Sequence, residues 1–345
     1  MRFHGVRIAG LGHDVSNQPT TSEELEERLA PLYDRLRLRV GRLELMSGIR
    51  ERRFYAEGER PSAIAARAGE KALADSDVAR EDIGLLIHAS VCRDFLEPAT
   101  ASVVHANMGL SPTAQVFDLS NACLGVMNGI VIAARLIESG EIKAALIVSG
   151  EDGRGLVEQT IQALNADQSL TRDSIKSAFA SLTIGSGGAA VVLARAEEGD
   201  DRGRVIGGAL LAATEHNVLC QGDRTEQVAG PLMSTDSEAM LIAGNELAGR
   251  TFELMLQELH WTRADIQRVI THQVGSTHRR LLFETVGLDM GLDFPTVETL
   301  GNTGSAAVPT AFSMAVQDGF ITRGQKVALL GIGSGLNCLM LGIRW

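Results

Sequence analysis

The second half of the chain repeats the first, and this repeat constrains the fold more than any other feature. Asp82-Ile83 precedes one apolar run, and Asp265-Ile266 precedes another 183 positions later (82 to 265). Ala145-Leu146-Ile147-Val148 matches Val327-Ala328-Leu329-Leu330 at a spacing of 182 (145 to 327). Gly185-Ser186-Gly187 resembles Gly333-Ser334-Gly335 at only 148 positions (185 to 333). The order of matches implies two similarly built halves packed together, about 1–200 and 201–345. The shorter last spacing predicts extra residues in the first half, where a polar stretch runs from about 152 to 181. The runs Ile83 to Ala89 and Ala144 to Gly150 are nearly uninterrupted apolar segments, as expected of strands covered on both faces. Alternation of such runs with helical patterns predicts an α/β fold with helices on the sheet faces.

Further strands are expected at Val6 to Gly12, Thr113 to Phe117, Val205 to Thr214, Ile266 to Thr271 and Lys326 to Gly333. Helices are expected at Ser22 to Leu38, Pro61 to Ala74, Ala99 to Met108, Thr235 to Leu259 (one long helix or two shorter ones), Thr277 to Val286 and Val308 to Gln317. Thr21 is placed to cap the first of them. Val218 to Met233 reads as irregular. A formal net charge of -11 without a long basic run argues against a nucleic-acid partner. The four cysteines, Cys92, Cys123, Cys220 and Cys338, have no metal-type spacing and suit a reducing cytoplasm; no metal site is expected. The first residues are too polar for a secretory signal, and no apolar run reads as a membrane span.

Cys123 lies between the strand expected before it and an apolar helical pattern through Ile130, Ala133, Ala134 and Ile137. A thiol near a helix start has its pKa lowered and faces backbone N–H groups. The alternative is a small core thiol. The repeat places Asn302 179 positions on (123 to 302), at the equivalent helix start, and His272 directly after its half's first strand. Three segments stand out: Asn121-Ala122-Cys123, Thr271-His272-Gln273-Val274 and Gly301-Asn302-Thr303-Gly304-Ser305-Ala306. Together they carry the logic of nucleophilic catalysis. Cysteine attacks a thioester, and histidine with an amide side chain holds the next oxyanion.

These segments, with the terminal Gly331-Ile332-Gly333-Ser334-Gly335-Leu336-Asn337, resemble the thiolase superfamily. The similarity is specifically to its 3-oxoacyl-acyl-carrier-protein synthase III group, and it covers essentially the whole chain. It implies a five-layered αβαβα thiolase fold with internal duplication, and a homodimer. It also implies Cys123 as the acylated nucleophile, His272 and Asn302 serving the second substrate, and an oxyanion hole from the backbone amides of Cys123 and Gly335. The stretches Arg93 to Ser102, His272 to Val274 and Gly331 to Cys338 are similar to the branch that joins two long-chain acyl-CoA molecules head to head. That branch takes its base, a glutamate, from the partner subunit, and Glu97 matches it. A plain acyl thioester must be deprotonated at its α-carbon, whereas a malonyl thioester makes its carbanion by losing CO2. The alternative for Glu97 is a carboxylate capping the next helix.

The resemblance implies no cofactor beyond coenzyme A as part of the substrates, and a 2-alkyl-3-ketoacyl product passed to downstream enzymes. Met108, Leu124, Val126 and Met127 are candidates for an acyl channel, or ordinary core. Arg279 and Arg280 are candidates for a CoA phosphate or a carrier protein, or a solvated helix face. The sequence has Val274-Gly275 after His272-Gln273 rather than the group's usual Ala-Asn, and Gly333-Ser334-Gly335 rather than a glycine triplet. Both departures weaken the first alternative function, condensation of acyl-CoA with malonyl-acyl-carrier-protein. The second alternative, a non-catalytic thiolase-fold subunit, is disfavoured by the intact Cys123, His272 and Asn302. Reversible thiolase chemistry is disfavoured by the surroundings of Cys338.

Overall fold

The computed structural model describes residues 1–197, 199, 203–224 and 231–345. In the first half the strands are β1 (Val6–Asp14), β2 (Pro19–Thr21), β3 (Glu51–Arg53), β4 (Ile83–Ala89), β5 (Gln115–Leu119), β6 (Ala144–Glu151) and β7 (Gly187–Arg195). The second half has β8 (Arg204–Ala212), β9 (Cys220–Arg224), β10 (Pro231–Thr235), β11 (Arg268–Thr271), β12 (Lys326–Gly333) and β13 (Asn337–Arg344). The α-helices are α1 (Ser22–Arg28), α2 (Ala30–Leu36), α3 (Arg42–Ser47), α4 (Pro61–Asp75), α5 (Thr100–Met108), α6 (Gly125–Ser139), α7 (Arg154–Ala166) and α8 (Lys176–Phe179), then α9 (Ser237–Leu259), α10 (Ser276–Val286), α11 (Val297–Leu300) and α12 (Ala307–Gln317).

Nine strands run in the order β11-β12-β13-β8-β1-β7-β6-β4-β5. The two halves of this sheet meet at β1 and β8, where Arg7 lies opposite Arg204. On either side the order and sense repeat. β4 is parallel to β6, which is antiparallel to β7, which is antiparallel to β1. Likewise β11 is parallel to β12, which is antiparallel to β13, which is antiparallel to β8. β4 pairs with β5 through His88 and Asp118, and its counterpart β11 makes a parallel bridge from Val269 to Asp293.

Packing turns this sheet into layers. Apolar residues of α6 and α12 lie between the strands of the two halves in one core that includes Ile87, Ile147, Ile130, Phe312, Leu329 and Leu341. α4 and α5 cover the outer face of the first half through Ala68, Ala72 and Val104. α9 and α10 cover the outer face of the second through Phe252, Met255 and Phe283. The result is the expected αβαβα arrangement, and β6, buried along its whole length, is apolar because both its faces are covered.

Some local expectations are corrected. The run expected as one helix from Ser22 to Leu38 breaks at Leu29, and Pro31 sits in the first turn of α2, where its missing N–H costs nothing. Thr21 does cap α1, with Glu24 completing a capping box. The polar stretch 152–181 forms α7 and α8, whose Val157, Ile161, Leu164 and Phe179 pack on Leu25, Leu29 and Leu32. Val218 to Met233 is not irregular throughout. Cys220–Arg224 and Pro231–Thr235 pair as an antiparallel hairpin, and residues 225–230 lie outside the described residues. Residues 122–139 do form a helical run apolar enough in composition to match a membrane span, but Val126, Ile130, Ala133 and Ile137 are packed inside the central layer.

Candidate active site

Between β5 and α6 the chain turns through Asn121 and Ala122 into a short 3-10 turn, Ala122–Leu124. Ala122 holds a φ of +44°, a left-handed conformation that costs a non-glycine residue about 1–3 kcal/mol. This turn lifts Cys123 to the start of α6. Gly125 permits the next contact, because a Cβ there would lie 2.8 Å from Ser305 Oγ. Val126 N donates to that same oxygen at 3.0 Å, so the starts of α6 and α12 abut across the two halves. The end of β12 closes the turn from above, where a Cβ on Gly333 would lie 3.4 Å from Cys123 N.

His272 follows β11, and its backbone N–H extends the ladder to Leu330 O at 2.8 Å. Its imidazole is buried, and Nδ1 has no hydrogen-bond partner among the described residues. The neighbouring Gln273 is structural. Its Oε1 accepts from the N–H groups of Thr296 and Val297, and its Nε2 donates to Phe294 O. Asn302 is pinned by its backbone, donating to Thr183 O and accepting from Gly185 N, both at 2.9 Å. Its Oδ1 accepts from Gly304 N at 3.0 Å, which leaves the amide NH2 as the group available to a ligand.

Cys123, His272 and Asn302, drawn from the two halves, line one cavity of about 450 Å³. Apolar side chains including Leu156, Ile184, Met240 and Leu282 form much of the remaining wall. Glu151, the last residue of β6, also faces it, a group that the sequence reading missed. The available signal was an acid ending an otherwise apolar strand. Among the described residues no group of His, Cys, Asp and Glu is placed to hold a metal ion.

Several expected site residues are elsewhere. Gly335 does not line the cavity; Gly333 and Ser334 do, while Gly335 takes a φ of +109° in the turn to β13. Met108 lies in the outer core between α5 and the sheet. Leu124, Val126 and Met127 belong to the central layer. Leu124 and Met127 back the wall at Gly331, where a Cβ would lie 2.6 Å and 2.5 Å from them. Arg279 lines the cavity but is paired with buried Asp293, Nε to Oδ2 at 2.6 Å. Arg280 is exposed and lies 3.6 Å from Glu284 one turn on. Glu97 is exposed and does not line the cavity of its own chain.

The electrostatics correct one expectation. The Cys123 thiol is pushed up to about 12, mainly by burial and then by the charge of Glu151, so the resting group is a thiol despite the adjacent helix start. Burial, and then His278, pull the His272 imidazole down to about 4, so it is neutral near pH 7. An unfolded histidine takes its proton near pH 6.5, whereas folded His272 stays neutral until about pH 4. Over that window the unfolded state binds more protons, and stability falls as pH falls, by up to about 3 kcal/mol in all. His272→Asn should remove this share of the acid sensitivity, read as a smaller drop in urea midpoint between pH 7 and pH 4.5. An unchanged drop would show that His272 is not buried neutral.

Residues 117–212 match the family model of 3-oxoacyl-[acyl-carrier-protein] synthase III, and residues 256–345 match that of its C-terminal region. An acyl-CoA:acyl-CoA alkyltransferase of Xanthomonas campestris is 40% identical over 345 residues, covering 100% of both chains. One of Shewanella oneidensis is 38% identical, again over 100% of both. A β-ketoacyl-[acyl-carrier-protein] synthase III of Rhizorhabdus wittichii is 32% identical over 87% of this chain and 88% of its own. A crystal structure of Xanthomonas campestris OleA superposes with a TM-score of 0.94 at 40% identity, covering 100% of this chain and 98% of that one. A variant of the same protein with bound lauric acid and lauroyl-CoA superposes with a TM-score of 0.93 over 99% of this chain and 100% of its own. The chain therefore belongs to the acyl-CoA:acyl-CoA alkyltransferase (OleA) family, within the synthase III group of thiolase-fold condensing enzymes.

Proposed function

We propose that the protein joins two long-chain acyl-CoA molecules by a non-decarboxylative Claisen condensation. The observation that carries this reading is the convergence of Cys123, His272 and Asn302, from both halves of the repeat, on one apolar cavity. Its relatives named acyl-CoA:acyl-CoA alkyltransferase, and the OleA structure holding lauroyl-CoA, support the substrate class. The two halves, about 1–200 and 201–345, share the labour: one supplies the nucleophile and the other the oxyanion donors.

In the first stage Cys123 Sγ forms a bond to the acyl carbon, the carbon–sulfur bond to CoA breaks, and the thiol proton passes to the departing CoA thiolate. In the second stage a further acyl-CoA enters. Glu97 of the partner subunit takes its α-proton, and the His272 N–H and Asn302 amide hold the enolate oxygen. The α-carbon attacks the Cys123 thioester, whose carbonyl oxygen lies in a hole made by the N–H groups of Cys123 and Ser334, the residue at the cavity wall beside Gly335. The Cys123 carbon–sulfur bond breaks, and the thiolate recovers a proton from the glutamic acid. The product is a 2-alkyl-3-ketoacyl-CoA, passed to product-processing enzymes. No cofactor takes part. Four unpaired cysteines suit a reducing compartment such as the cytoplasm.

Two features support a homodimer. β5 ends the nine-stranded sheet with no partner on its outer side among the described residues, and such an edge invites pairing. Beside it, the 91–98 loop exposes Val91, Phe95 and Leu96, the last at 95%. Paired at this edge, each subunit offers its Glu97 to the other's cavity.

The test supplies purified protein with acyl-CoA alone, then with a malonyl-CoA or malonyl-carrier donor, and reads products by mass spectrometry. Products with two full acyl chains, formed without CO2, are expected. A product two carbons longer than the primer, formed only with the malonyl donor, would assign the protein to decarboxylating synthases instead. His272→Ala and Asn302→Ala should each keep Cys123 acylation detectable while slowing condensation roughly a hundredfold, about 3 kcal/mol of transition-state stabilisation. Condensation at the parent rate in both variants would remove them from the mechanism.

A further inference from the structure

Glu151 is a buried carboxylate, 4% exposed, to which the reaction above assigns no role. Three backbone N–H groups donate to it, and the Cys92 thiol lies against it as well. Oε1 accepts from Val91 at 3.0 Å and from Ser305 at 3.1 Å, and Oε2 accepts from Cys92 at 3.1 Å. A carboxylate at this depth is costly unless its oxygens are bonded, so burial here selects these bonds over alternatives. They join two segments. Ser305 follows Asn302 at the start of α12, while Val91 and Cys92 are the root of the loop that ends in Glu97.

The rest of the loop is fixed in turn. Ser90 Oγ accepts from Gly150 N and meets Ser149 Oγ, both at 2.9 Å. Asp94 accepts from Ser62 N at 2.9 Å and from Ser62 Oγ at 2.6 Å, at the start of α4. The Arg60 guanidinium lies 4.8 Å from the centre of the Phe95 ring. Beyond Phe95, Leu96 and Glu97 stand exposed. The loop is therefore rigid at its root and free at the tip that carries the proposed base. Glu151 is a large part of that rigidity.

We propose that Glu151 is a positioning residue that acts across the dimer: it fixes the root of the loop through which its own subunit delivers Glu97 to the partner's cavity. The inference rests on the reading of Glu97 given above. A base placed about 1 Å off can lose on the order of a hundredfold in rate, so a loosened root should be felt at the reacting carbon. Glu151→Gln keeps the side-chain size but turns an NH2 toward one of the three N–H donors. The loop loses a tether without gaining a cavity.

The experiment uses mixed dimers purified through two different tags. One subunit carries Glu97→Ala and keeps its nucleophile. The other carries Cys123→Ala and keeps its base. This parent dimer has one complete site, and it should condense acyl-CoA. Glu151→Gln is then added to one subunit or the other, and acyl loading and condensation are read separately. Placed in the subunit that supplies Glu97, it should slow condensation roughly tenfold or more while Cys123 of the other subunit loads at the parent rate. Placed in the subunit that holds Cys123, it should cost less. Ser62→Ala, which removes the hydroxyl bond of the second tether at Asp94 and keeps the backbone one, should follow the same asymmetry with a smaller effect, and it serves if Glu151→Gln folds poorly. An inactive parent dimer would overturn the transfer of Glu97 between subunits, and this proposal with it. An active parent in which both lesions act equally, or chiefly in the Cys123 subunit, would overturn the positioning role alone and place Glu151 at its own nucleophile.

Discussion

Cys123→Ala loses acyl loading and condensation together, by on the order of 10⁴-fold or more, because no other group in the cavity replaces a covalent nucleophile. The fold should survive. Alanine keeps a small side chain at the turn, and the contacts that hold it do not use the Cys123 side chain: Leu124 N donates to Asn121 O and Val126 N to Ser305 Oγ. The melting temperature is therefore expected to stay within a few degrees of the parent. The site of the adduct matters as much as the loss, since Cys92, Cys220 and Cys338 also line the cavity. Two of them are tied as donors, Cys92 Sγ to Asp152 O and Cys338 Sγ to Gly331 O, and burial pushes both thiols up. The acyl mass is expected on Cys123 in peptide mapping. An acyl group on one of the other three, with Cys123 free, would move the nucleophile.

The repeat was legible because apolar strands covered on both faces leave a continuous pattern, and β4, β6 and β12 kept that pattern at matched spacings. The three segments around Cys123, His272 and Asn302 were legible for a related reason: each lies at a strand end or helix start, where the elements themselves announce the turn. What periodicity could not reveal was depth. Leu124 and Met127 carry the composition expected of a channel, but lie behind Gly331 rather than along the cavity. Arg279 reads as a free cation, yet Asp293, fourteen residues later, pairs with it. The thiol of Cys123 follows the same rule. A helix start favours the thiolate, but burial and the carboxylate of Glu151, 28 positions away (123 to 151), outweigh it. Each miss depends on a partner distant in sequence, which a local pattern does not contain.

Glu97→Ala should separate the two stages of the reaction. Acylation of Cys123 needs no base on the second substrate, and Glu97 lies outside the cavity of its own chain, so loading and CoA release should remain near the parent rate. Condensation should fall by on the order of 10³-fold or more, because the α-proton of an unactivated thioester is far less acidic than a glutamic acid and leaves only to a base held in place. Glu97→Asp keeps the charge but shortens the reach by one methylene, and it should fall between the parent and alanine. The measurement that isolates the step is exchange of the α-hydrogens of acyl-CoA with deuterated solvent. Exchange should drop in parallel with condensation in Glu97→Ala while the acyl-enzyme accumulates on Cys123. If condensation fell while exchange continued at the parent rate, another group would be the base, and Glu97 would act only on carbon–carbon bond formation. If loading fell as far as condensation, the exposed loop would be serving substrate entry rather than proton transfer.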